Sequence, residues 1–461
     1  MPTVFAMKER DTAKEMYGPI AGNRWVQLIF GVLAMIVISN YQYAFTLFTP
    51  GMRQTFSDVP YAKIVLISSI FLIFETWPMP AAGYFVDKLG IRKLMTFGAI
   101  LIALGWVLSG TVAQTVTQLY LFYGVIAGLG AAIIYISCVA NAVKWFPDHR
   151  GLAVGLTAAG FGGGAALTVI PIANTIQISG WAHAMAIWGL AQGLIALIAA
   201  MILRHPPAGW VPAGWNPDAS KAGKTLQQSK VNFTGMQMAR RPEFYVLYAM
   251  FFFACYGGLI ATQNLSQIAR SLHVSDARIL GLAIIPFTVT LTSLCNAGSR
   301  IVWGTVSDWL GRENTMFVTF GIEAILVFLV TRITGSPLAF VILFPLVFLF
   351  WGEVFSLFSA TTGDLFGPKN ASGNYGLVYT AKGLAAYFAG FGAAALAAHF
   401  GGSFNVPFYI SAVLCAVAAL LSLLFLHPLV RKRIAQEAKA AAVEPIGTGQ
   451  PEKGGDLAHV S

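Results

Sequence analysis

The chain has 461 residues, 57% of them hydrophobic and only 10% charged, with 29 Lys and Arg against 19 Asp and Glu. A soluble domain draws about a quarter of its residues from the charged set, so a water-facing globule is excluded and a membrane protein is the class that fits. The formal charge of +10 does not indicate a nucleic-acid partner, because the basic residues fall in alternate loops, the pattern that records orientation in a bilayer.

Residues 1–24 are polar and carry Lys8, Arg10, Lys14 and Arg24. They read as a tail outside the bilayer and not as a cleavable signal peptide. Apolar stretches of about 20 residues, the length that crosses a bilayer, follow near 25–48, 61–84, 93–113, 117–143, 151–176 and 181–203. Residues 204–241 interrupt the series with Pro206-Pro207, a PAGW repeat and Lys221, Lys224, Lys230, Arg240 and Arg241, and read as a linker. A second set of spans follows near 243–267, 278–303, 314–333, 336–362, 373–398 and 403–427. Residues 429–461 form a polar tail with the composition of a disordered segment. The expected fold is an all-α membrane protein of twelve transmembrane helices, arranged as two pseudo-symmetric six-helix bundles over 25–203 and 242–428.

With the N-terminus inside, the outer loops hold only Arg53, Lys63, Arg270, Arg278 and Arg332. The positive-inside rule then puts both termini in the cytoplasm of a multi-pass inner (plasma) membrane protein. Cys138, Cys255, Cys295 and Cys415 stand singly in apolar stretches, so they read as packing residues, with no metal site and no disulfide framework. H-E-x-x-H, G-x-S-x-G and nucleotide-loop motifs are absent from the sequence, and neither an enzyme nor a cofactor is expected.

The loop after the second span contains Gly83, Asp87 and Gly90 in the pattern G-x3-D-x2-G, and the loop after the eighth repeats it with Gly304, Asp308 and Gly311. Trp145-Phe146-Pro147 is echoed by Leu365-Phe366-Gly367-Pro368 at nearly the same spacing. Two echoes at matched spacing indicate a duplicated six-helix unit. By that register, Met79 and Gly162 of the first half stand where Arg300 and Lys382 stand in the second.

Arg300 and Lys382 are the cations that no loop accounts for, and a cation near the bilayer centre costs at least about 2.5–3.5 kcal/mol. Arg300 lies eight residues before Asp308, roughly 12 Å from the cytoplasmic loop at about 1.5 Å per residue. Lys382 lies about nine residues into the eleventh span, roughly 14 Å from the same side. Both are expected near the midplane, where transporters with internal repeats bind substrate. The guanidinium fork suits a carboxylate and the ammonium adds a point charge, a pair fit for a dianion or for a carboxylate with a second polar group. The competing expectation is that each cation pairs with an intramembrane acid, for which Glu75, Glu323 and Glu353 are available. Glu75 and Glu353 are also the candidates for proton coupling.

The segment from Gly83 to Lys93 resembles the cytoplasmic loop signature of the major facilitator superfamily, G-x3-D-[RK]-x-G-x-[RK]-[RK], at every specified position. The resemblance implies that Gly83, Asp87 and Arg92, with Gly304, Asp308 and Gly311 in the second copy, control the inner ends of the helices. YQYAFTLF at 41–48, WFPDHRGLAVGLTAAGFGGG at 145–164, GSRIVWGTVSDWLGRE at 298–313, FWGEVFSLF at 350–358 and NYGLVYTAKG at 374–383 are similar to the oxalate:formate antiporter branch of that superfamily, which includes lactate-type carriers. The resemblance implies that Arg300 and Lys382 hold the substrate and that Gln42, Tyr43, Tyr135 and Trp351 surround it. Phe161 and Phe355 stand where that branch has tyrosine, Tyr379 stands where it has tryptophan, and Glu353 is additional. The expected function is oxalate:formate antiport by a monomer, with proton-coupled monocarboxylate symport as the alternative.

Overall fold

A computed structural model describes residues 12–207, 209–212, 231–367 and 370–432. The expected tails and linker are therefore covered only in part, since 1–11, 213–230 and 433–461 lie outside the described residues, as do Pro368 and Lys369. The first half runs through α1 Arg24–Thr55, a bent α2 made of Tyr61–Thr76 and Met79–Val86, α3 Ile91–Thr111 and α4 Val116–Trp145. One continuous helical stretch, Gly151–Ile202, then supplies α5 (151–179) and α6 (181–202). The second half contains α7 Pro242–Ser271, α8 Ile284–Leu310, α9 Arg312–Val330, α10 Pro337–Phe366, α11 Gly373–His399 and α12 Asn405–Lys432.

Length and apolarity alone mark nine described helices as spans, and a tenth if the two arms of α2 count as one. The stretch Gly151–Ile202 has 52 residues, about twice what a bilayer needs, and reverses at Gly180. There φ is +81° and ψ 165°, a backbone that L side chains rarely adopt. Helix α8 escapes an apolarity criterion because one face carries Thr288, Thr292, Asn296, Ser299 and Arg300, all buried. These two facts bring the described helices to the twelve spans of the expected all-α membrane fold.

Local chemistry sets the helix ends. Asn23 caps α1 by accepting the Trp25 amide at 2.9 Å, Thr115 and Gln118 form a reciprocal capping box at the start of α4, and Ser336 caps α10 ahead of Pro337. The loop glycines of the duplicated motif, Gly90 (φ +85°) and Gly311 (φ +90°), both take the left-handed backbone that ends one helix and starts the next. Gly83 brings α2 against α4, where an added Cβ would lie 3.4 Å from Ile136. Gly304 faces Ser356 of α10 more loosely, at 3.8 Å. Arg92 is exposed, and the Asp87 side chain lies outside what is described. Asp308 is half-exposed and pairs with Arg312 at 2.8 Å; Arg312 also reaches Asp364 at 3.2 Å, tying the ends of α8, α9 and α10 together.

The halves meet mainly along two seams, α5 on α8 and α2 on α11. Each seam is built around a glycine at the equivalent place of its half. A Cβ on Gly163 would lie 2.7 Å from the Ala297 methyl, and one on Gly383 would run into Thr76 and the Trp77 ring. Away from the termini, Thr46 bonds Ser266 at 3.1 Å and Arg53 bonds Gln267 at 2.7 Å. Ser69 meets Gln263 at 2.9 Å and the Ala386 carbonyl at 3.1 Å. On the termini side, the Trp77 indole donates to the Thr380 carbonyl at 3.2 Å. Replacing Gly163 with Val overpacks the α5–α8 seam, and the expected cost is about 1–3 kcal/mol. A purified G163V protein should melt at a clearly lower temperature than wild type; unchanged melting would mean that α5 and α8 do not approach this closely.

Candidate substrate site between the bundles

The sequence places a long polar face on α8 and a lone lysine in α11, and neither can face lipid without cost. In the structure both turn to the midline between the halves, where Arg300 is 2% exposed and Lys382 0%. The two cations flank the same two rings. The Arg300 Cζ lies 4.5 Å from the Phe355 centroid and 6.0 Å from that of Phe161. The Lys382 Nζ lies 5.6 and 5.1 Å from those rings, and 5.0 Å from Tyr379. The Phe161 and Phe355 rings attract a cation with their faces and offer it no hydrogen-bond acceptor.

The partners of the two cations differ. Lys382 donates to Glu75 Oε2 at 2.8 Å and Oε1 at 3.1 Å, to Gln42 Oε1 at 2.9 Å and to the Tyr379 hydroxyl at 3.1 Å. Glu75 is itself 0% exposed. Arg300 forms no ion pair with an acid among the described residues. Its Nη1 donates to the Ala158 carbonyl at 2.7 Å and its Nε approaches Asn296 at 3.4 Å. Its buried Nη2 has no acceptor among the described residues, nor has Nε2 of Gln42. The expectation of two unpaired cations is thus corrected for Lys382, because a carboxylate from the other half meets it in a space too dry to leave an ammonium bare.

The remaining expected residues surround this pair. The Tyr43 hydroxyl accepts from Asn296 Nδ2 at 2.9 Å, and its ring lies 5.7 Å from Phe161. Tyr135 stands 5.3 Å from Phe161 and 5.5 Å from Tyr379. Trp351 lies edge-on to Phe355 at 5.1 Å, donates to the Cys255 carbonyl at 3.2 Å and covers Gly258, where no Cβ would fit. Gln42, Tyr43, Tyr135, Phe161, Trp351, Phe355, Tyr379, Arg300 and Lys382 therefore form one group. Glu353 does not join it. It sits at the break in α10, accepts from Ser299 at 3.2 Å and faces into the second bundle, where Glu323 is likewise buried with no ion-pair partner among the described residues.

Two contributors escaped sequence reasoning. Asn296, one turn before Arg300, joins Tyr43 to the Gly162 carbonyl, at 2.9 and 3.3 Å. Gly162 supports the guanidinium itself, since a Cβ there would lie 2.9 Å from Nε and 3.1 Å from Cζ. Its signal was the repeat register, which equates Gly162 with Lys382: one half puts a charge there and the other leaves room for one.

The sequence profile described as Major Facilitator Superfamily matches residues 28–390. The chain belongs to the major facilitator superfamily. The oxalate:formate antiporter of Oxalobacter formigenes is 34% identical over 400 residues, 87% of this chain and 90% of its own length. The uncharacterized MFS-type transporter YhjX of Escherichia coli K12 is 24% identical over 78% of this chain and 85% of its own length. Human monocarboxylate transporter 14 is 28% identical over 41% of this chain and 36% of its own length. The protein is a membrane transporter of the oxalate:formate antiporter family, and not an enzyme.

Replacing Gly162 with Ala should push the guanidinium off its seat. A displacement costing about 1.4 kcal/mol in binding is a tenfold loss, so uptake by G162A at subsaturating substrate should fall about tenfold at unchanged protein level in the membrane. Unaltered uptake would separate Gly162 from the site.

Proposed function

We propose that this transporter carries small carboxylate anions by alternating access, and that its exchange pair is oxalate and formate. The observation that carries the proposal is the buried Arg300 guanidinium, held at the interface of the halves with Nη2 lacking an acceptor and with Lys382 across the same two rings. A guanidinium in so dry a place calls for a planar anion, and a carboxylate fills its fork. Formate satisfies Arg300 alone. Oxalate, with a carboxylate at each end, spans Arg300 and Lys382. The name of the Oxalobacter relative supports that pair.

Substrate would meet these cations from either side in turn as the halves rock about the α5–α8 and α2–α11 seams. Gly83, Asp87 and Arg92, together with Gly304, Asp308 and Gly311, lie at the ends through which such rocking opens, and we assign them to gating. Both termini then face the cytoplasm, the protein sits in the plasma membrane, and one chain is a complete carrier. Proton-coupled monocarboxylate symport is the second reading. The Glu75–Lys382 ion pair favours it, because a titratable group already occupies one arm of the site.

Arg300→Gln should abolish exchange of formate and oxalate alike, measured as counterflow in proteoliposomes. Lys382→Gln strands Glu75, at a cost of about 3–5 kcal/mol, and should lower the amount of folded protein. The paired change Glu75→Gln with Lys382→Gln removes that penalty and should keep formate exchange while losing oxalate. Wild-type oxalate counterflow in R300Q would end the assignment.

A further inference from the structure

The Glu75 carboxylate has a consequence for charge movement that neither cation has alone. Lys382 is saturated: an ammonium has three protons to donate, and they face Gln42, both oxygens of Glu75 and Tyr379. A second carboxylate can reach Lys382 only if Glu75 gives way. The groups facing Glu75 come from five helices. They are Lys382, Tyr379 and Tyr375 on α11, Arg300 on α8, Tyr43 on α1, Tyr135 on α4, and Cys255 of α7 beside Lys382. Glu323 and Glu353 form no ion pair with either cation among the described residues; they lie toward Ser299, Ser411 and Cys415.

We propose that Glu75 takes up a proton when a dicarboxylate binds, so that the carrier moves a dianion together with one proton and exchanges it for a monoanion without net charge transfer. This rests on the carboxylate reading of the same site. With Arg300 and Lys382 positive and Glu75 negative, the site carries one net positive charge. Formate on Arg300 brings it to zero while Glu75 stays ionised on Lys382. Oxalate across both cations would leave one net negative charge in a closed apolar space, with two carboxylates competing for one ammonium. Like charges held that close in a dry site do not both stay ionised. A proton from the medium on Glu75 restores zero, and it leaves when oxalate leaves and Glu75 returns to Lys382. Oxalate with its proton therefore carries the same single negative charge as formate.

The test uses the full-length protein in proteoliposomes loaded with formate and a pH-reporting dye, with external oxalate and a potassium diffusion potential of either sign. Protein-free liposomes supply the leak of formic acid to be subtracted. Expected for wild type are an exchange rate unchanged within about twofold by the potential, as for a step that moves no charge, and one proton entering per oxalate. Glu75→Gln should make exchange respond severalfold to the potential and carry no proton. Glu75→Asp, which keeps an acid and tests the same point if the amide variant does not fold, should keep both wild-type features. Wild-type exchange driven severalfold by the potential without lumenal acidification overturns the proposal and leaves carboxylate exchange standing. Folded wild type that exchanges neither formate nor oxalate overturns the carboxylate reading and this inference with it.

Discussion

The ion pair between Lys382 and Glu75 is the contact around which the centre of the molecule is arranged. It joins α11 of one half to α2 of the other at 2.8 Å, with both side chains fully buried. Two charges withdrawn from water cost several kcal/mol each, and their attraction offsets this only when further hydrogen bonds satisfy them. Gln42 and Tyr379 supply those bonds. The contact also needs α2 and α11 to come close, which Gly383 permits by leaving Thr76 and Trp77 room. Helix approach, aromatic packing and charge balance are thus one problem here.

Gene duplication accounts for the frame but not for the chemistry. The α5–α8 and α2–α11 seams are copies of one another, down to Gly163 and Gly383. At the preceding position along the two helices the copies part: Gly162 has no side chain and Lys382 has a long charged one. The missing side chain is what makes room for Arg300, whose own counterpart in the first half is Met79. An anion bound as proposed would therefore meet charges supplied by one half across a surface of Gly162, Phe161 and Tyr135 supplied by the other. A binding site divided in this way draws the halves together when it is filled, which is what a rocking carrier requires.

Most of the frame could be read from the sequence, because a bilayer imposes a length on each helix and a sign on each loop. The α5–α6 reversal and the polar α8 correspond to the spans expected near 151–176, 181–203 and 278–303, although a stricter test of length and apolarity merges the first two and misses the third. Arg300 and Lys382 stood out because oil makes a cation conspicuous. Their partners did not. Glu75, Glu323 and Glu353 are three acids in three helices, and nothing in local spacing says that the one farthest from Lys382 along the chain is the one that reaches it. Asn296 was invisible for a different reason: an uncharged amide one turn from an arginine is indistinguishable from ordinary helix-face polarity until its two partners are seen.

The hydroxyl-free rings of Phe161 and Phe355 fit the same charge balance. Tyrosines at these places would offer hydroxyls to the anion and to the guanidinium. Phenylalanine faces hold both cations without taking up a donor or an acceptor, so whatever neutralises them must itself be charged. Glu75 does this for Lys382, and on the proposed carboxylate reading the substrate would do it for Arg300. Selectivity in such a pocket comes less from counting hydrogen bonds to the substrate than from the rule that the closed, apolar space tolerates only a total charge near zero. On the proposed carboxylate reading, a neutral acid of the same shape would leave the guanidinium unpaired and would be excluded by that rule alone.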